Sequence, residues 1–164
     1  MNLDPDLEAL VSDLAEHLLA RGWWLATAES CSGGGIAAAC TALAGSSGWF
    51  AAGLVTYTEA MKQRLLGVDA ELLARHGAVS EPVARAMAEG ARERTGADMA
   101  LAVTGIAGPG GGEVLQPVGT VWFAWASRGN RTETAVERFQ GDRSAVRGAT
   151  VRRSLDGAVG LLAT

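Results

Sequence analysis

SEPVARAMAEGARERTGADMALAVTGIAGPGGG, residues 80–112, reads as helix, strand and glycine-rich loop in direct succession. Ser80 is placed to cap a helix that runs through Arg94, with Val83, Met87, Ala88 and Ala91 on one apolar face. Met99 to Thr104 is a near-continuous apolar run of strand length, and Gly105 to Gly112 is a glycine-rich loop that carries Pro109. This is one unit of an α/β fold, and helices alternate with strands through most of the flanking sequence, with no internal repeat.

Upstream, Asp4 and Pro5 open a helix in which Leu7, Leu10, Val11, Leu14 and Leu18 keep the helical period until Gly22. Trp23 to Ala28 reads as a strand entering a turn at Glu29–Ser32, and Gly33 to Leu43 as a small-residue helix. Ala51 to Tyr57 is a second strand, followed by a short helix over Glu59–Leu66 and another helical turn or two over Asp69–His76. Downstream, Val118–Ala126 and Thr132–Phe139 are strands joined across Gly129–Asn130, a hairpin signal. Asp142 caps a last helix to about Leu162. The prediction is a single α/β domain over residues 1–164: three layers, α/β/α, around a mixed, partly parallel sheet with antiparallel final strands.

At 164 residues the chain is long enough to bury about 70% of its unfolded surface. A net charge of -4 argues against a nucleic-acid binder driven by phosphate contacts. No apolar stretch reaches the ~20 residues that span a bilayer, and Asp4, Asp6 and Glu8 do not resemble a signal peptide. The expectation is a cytoplasmic protein without membrane or nucleic-acid partners. Cys31, Cys40, His17 and His76 lack metal spacing, so neither a metal nor another cofactor is expected. Trp49 and Phe50, read as exposed apolar residues, suggest a homo-oligomer, a dimer as first expectation.

The chain has one lysine, Lys62, among its 14 basic residues, five positions after its one tyrosine, Tyr57. Arginine is a permanent cation, whereas a lysine amine can lose its proton and serve as a base. Four clusters surround this observation. Glu29-Ser30-Cys31-Ser32-Gly33-Gly34-Gly35 leads hydroxyls and glycines into a helix, suited to an anion or to simple capping. Gly45-Ser46-Ser47-Gly48-Trp49-Phe50 precedes the Tyr57 strand, and Ser47, Tyr57 and Lys62 are placed to converge as nucleophile and base, or else a serine there caps a turn. Thr104-Gly105-Ile106-Ala107-Gly108-Pro109-Gly110-Gly111-Gly112 fits no nucleotide fingerprint, yet its amides can form a concavity for a phosphate or oxyanion. Arg143, in Gly141-Asp142-Arg143, is suited to a phosphate or carboxylate.

Seven segments in order, AESCSGG (28–34), GSSGWF (45–50), VTYTEAMK (55–62), HGAVSEPVARAMAEGAR (76–92), AVTGIAGPGGG (102–112), PVGTVWFA (117–124) and GDR (141–143), resemble the CinA C-terminal domain family. That family includes stand-alone nicotinamide mononucleotide (NMN) amidohydrolases. The sequence departs from it at Ser32, where threonine is common, and at Thr58-Glu59, where Ser-Asn is common. The resemblance implies hydrolysis of NMN to nicotinic acid mononucleotide and ammonia, within pyridine nucleotide recycling. On this reading Ser47 attacks with Lys62 and Tyr57 as the base, while Ser30, Ser32, Gly33, Thr104, Gly105, Gly108 and Arg143 bind the substrate. The alternative is a non-catalytic nucleotide-binding module. The larger N-terminal domain fused to this module in full CinA proteins is not seen, so no pyrophosphatase activity is expected.

Overall fold

The computed structural model describes residues 2–164. The chain runs α1 (Pro5–Arg21), β1 (Leu25–Glu29), α2 (Gly35–Ala42), a 3-10 turn (Ser46–Gly48), β2 (Phe50–Val55), α3 (Glu59–Leu66) and α4 (Ala70–His76). It continues through α5 (Glu81–Thr95), β3 (Met99–Gly105), β4 (Thr120–Ser127), β5 (Glu133–Arg138) and α6 (Arg143–Leu162). The strands lie in the order β2-β1-β3-β4-β5. The first three are parallel, and β4 and β5 pair antiparallel. This is the mixed sheet expected from the alternation of elements.

Helices α1, α2 and α6 pack on one face, and α3, α4 and α5 on the other. Parallel strands are therefore covered on both sides, which is why β1 is buried throughout and β3 at all but its last residue, rather than alternating. The two cores differ in grain. One holds Leu14, Leu18, Met99, Leu101, Phe123 and Trp125. The other is lined largely by alanines of β1, β3, β4 and α5, which lets α5 lie close to the sheet.

The helix ends follow their sequence signals. Asp4 accepts from the Leu7 amide at 3.1 Å and Gly22 closes α1 in the left-handed region. Asp142 accepts from the Ala145 amide at 2.9 Å and starts α6. Ser80 departs from its expected role: its hydroxyl donates to the Gly77 carbonyl and makes no cap bond to α5. Gly90, inside α5, has a packing reason. A Cβ there would stand 1.9 Å from the Leu66 carbonyl oxygen, so the glycine admits the end of α3.

Trp49 corrects one expectation. It is only 1% exposed and belongs to the larger core, and Phe50 is half-buried against it. Trp49 therefore offers no exposed apolar surface to a second copy of the chain, and Phe50 only part of its ring. No helix of the described residues is long and apolar enough to cross a membrane.

Candidate active site

Strands β2, β1 and β3 run in one direction, so their C-terminal ends, at Val55, Glu29 and Gly105, share one edge of the sheet. Ligands of open α/β sheets bind outside that edge. A cavity of about 320 Å³ opens there, lined by Ser30, Tyr57, Lys62, Thr104, the Gly105–Gly111 loop and Arg143 among others. Its construction begins one residue before Ser30. The Glu29 carboxylate is fully buried and accepts four hydrogen bonds. Two come from the Thr27 and Ser32 hydroxyls (3.2 and 2.6 Å) and two from the Ile36 and Ala37 amides in the first turn of α2 (2.9 and 2.8 Å). A carboxylate at a helix N-terminus satisfies donors that the helix leaves free. Here it also ties both ends of the turn that carries Ser30.

Thr58 caps α3 through its hydroxyl, at 3.3 Å from the Met61 amide, and this starts the helix that aims Lys62 inward. The Lys62 side chain is 2% exposed. Its Nζ donates to Ser30 Oγ at 2.9 Å and to the Thr56 carbonyl at 2.8 Å. Burial pushes the amine below the usual lysine range, opposed by the nearby Glu59 carboxylate. A buried amine held on a serine hydroxyl has the arrangement of a nucleophile and its base.

Cys31 is the other potential nucleophile in this cavity. Burial raises its thiol to about 11, which leaves it protonated at neutral pH. Tyr57 is 56% exposed, and its hydroxyl accepts from Arg143 Nη2 at 2.8 Å. Arg143 Nη1 donates to the Gly108 carbonyl at 2.8 Å, which links the start of α6 to the glycine loop. The amides of Ala107, Gly108, Gly110 and Gly111 donate to no protein acceptor among the described residues. Gly105 and Gly108 are there for space: a Cβ would meet Val121 Cγ2 at 2.7 Å or Val118 Cγ1 at 2.5 Å.

Not every predicted site residue reaches the cavity. Ser47 does not meet Tyr57 and Lys62. It is exposed in the 3-10 turn that precedes β2, whereas Tyr57 and Lys62 follow the far end of that strand. Six strand residues separate the two ends by roughly 20 Å. Ser32 is buried with its hydroxyl turned to Glu29, and its carbonyl accepts from Arg147 at 3.2 Å. Gly33, at φ 62°, shapes the turn rather than lining the cavity. Thr104 lines the cavity, but its hydroxyl donates to the Ala78 carbonyl at 2.8 Å. His76 ends α4, exposed and outside the cavity. Glu29 and Thr56 were missed as functional residues. A lone carboxylate ending an otherwise uncharged strand was the available signal for Glu29.

The family model described as "CinA C-terminal domain" matches residues 7–162. The chain is 52% identical over 141 residues to "Nicotinamide-nucleotide amidohydrolase PncC" of Enterobacter agglomerans, covering 86% of each. It is 50% identical to the protein of that name from Pseudomonas putida, covering 97% of this chain and 98% of the relative. The crystal structure of "competence/damage inducible protein CihA from Agrobacterium tumefaciens" superposes with a TM-score of 0.95 at 44% identity, covering 98% of this chain and 99% of that one.

Proposed function

The chain belongs to the CinA C-terminal domain family, and from that premise we propose that it hydrolyses the carboxamide of NMN, with Ser30 as nucleophile and Lys62 as base. The near-full-length relatives named for nicotinamide-nucleotide amidohydrolysis support the reaction. The observation that carries the mechanism is the 2.9 Å contact between the buried Lys62 amine and the Ser30 hydroxyl.

The steps follow from that contact. Neutral Lys62 takes the Ser30 proton as Oγ bonds to the carboxamide carbon. The tetrahedral oxyanion collapses, the C–N bond breaks, and the Lys62 ammonium returns its proton to the leaving nitrogen, releasing ammonia. Water then attacks the ester; Lys62 takes a proton from it and hands it to Ser30 as the acid product leaves. A low amine pKa serves this cycle, because a base must be unprotonated at working pH. The Thr56 carbonyl, at 2.8 Å, holds the amine in place through each transfer.

The unpartnered amides of the 107–111 loop are our candidates for the oxyanion or the phosphate, each oxyanion donor being worth ~3 kcal/mol. We assign the phosphate to Arg143, with Tyr57 as its support rather than as part of the base; the Arg143–Tyr57 hydrogen bond supports this reading. Conversion of an amide nucleotide to its acid fits pyridine nucleotide recycling. Incubation of the purified protein with NMN should release ammonia and nicotinic acid mononucleotide in equal amounts. Folded protein that releases neither would overturn the proposal.

A further inference from the structure

Accepting the NMN reading, the charges that line the cavity permit a further step. Among the described residues, Glu59 is the one acidic group facing this space, while Lys62 and Arg143 are the basic ones. The positive side is engaged: Arg143 binds Tyr57 and Gly108, and Lys62 binds Ser30 and Thr56. Glu59 makes no ion pair or hydrogen bond through its carboxylate among the described residues. It stands in the first turn of α3, one turn before Lys62 and therefore on the same face.

The proposed substrate carries opposite charges of its own, a phosphate and a cationic pyridinium ring. The ring nitrogen is two bonds from the carbon that bears the carboxamide. When the carboxamide sits at Ser30, beside Lys62, the attached positive ring occupies the cavity that Glu59 also lines. The phosphate end then has Arg143 and the 107–111 amides. We infer that Glu59 is a specificity-determining residue that favours the cationic pyridinium ring over an uncharged ring of the same shape.

The carboxylate is exposed, so water and salt screen it, and the expected effect is modest. The test uses the Ser30→Ala protein, which binds without turnover, with and without Glu59→Gln. Calorimetric dissociation constants would be measured at low salt for NMN and for its neutral 1,4-dihydropyridine form. Glu59→Gln should weaken NMN by about three-fold and leave the neutral ring unchanged. Equal weakening of both ligands, or of neither, overturns the inference while the proposed reaction stands. That holds even where Glu59→Gln alters the turnover of the Ser30-containing enzyme, because Glu59 would then act through Lys62. If neither ligand binds the Ser30→Ala protein, the NMN reading and this inference fall together.

Discussion

Two serine-glycine turns flank the same pair of strands, and among the described residues only one of them meets an amine. The turn at Ser30–Gly34 follows β1, while the turn at Gly45–Gly48 precedes β2. Because β1 and β2 are parallel, these turns lie on opposite edges of the sheet. At the first, Glu29 and Thr56 build a buried frame around Ser30 and Lys62. At the second, Ser47 is exposed in a short 3-10 turn, with no basic group bonded to it among the described residues. Similar residue types thus have different chemistry according to which end of a strand they occupy.

Replacing Lys62 breaks the contrast most severely. Lys62→Arg retains charge but removes proton transfer, and should lower kcat by about 10³-fold in steady-state assays of ammonia release. Lys62→Met should be equally inactive yet melt at a higher temperature near neutral pH, because it removes the cost of a buried amine. The sign follows from the lowered folded-state pKa. The unfolded chain holds its proton up to about the ordinary lysine value of 10.5, so wild-type stability rises with pH between the folded value and 10.5. The Met variant's advantage should therefore shrink in melts at alkaline pH.

A smaller effect tests the helix that carries the amine. Gly90→Ala forces a methyl group against the Leu66 carbonyl and should cost about 1–3 kcal/mol in denaturant unfolding. Arg143→Ala, at the phosphate end, should raise KM for NMN by about ten-fold with little change in kcat. A loss confined to kcat would move Arg143 from binding to chemistry.

Much of the architecture was legible because its signals are local. Asp4 with Gly22 at the ends of α1, Asp142 before α6 and the apolar run of β3 each reflect one dominant preference. Lys62 was legible for a chemical reason, being the one amine side chain among permanent cations. The proposed nucleophile was not, because Ser30 and Ser47 sit in loops of similar composition and residue type alone does not separate them. Strand direction does: residues 45–49 precede a strand parallel to β1 and so belong to the edge remote from Lys62. Trp49 misled for a related reason, since a tryptophan beside a surface turn still has its ring in the core. The Arg143–Tyr57 contact joins residues 86 positions apart, beyond the reach of any local signal.

The most direct measurement is NMN deamidation by wild type, Ser30→Ala and Ser47→Ala, assayed side by side after folding has been checked. The account predicts a loss of about 10³-fold or more for Ser30→Ala and near wild-type turnover for Ser47→Ala. An active Ser30→Ala protein alongside an inactive Ser47→Ala protein would contradict it and return the nucleophile to the other edge of the sheet.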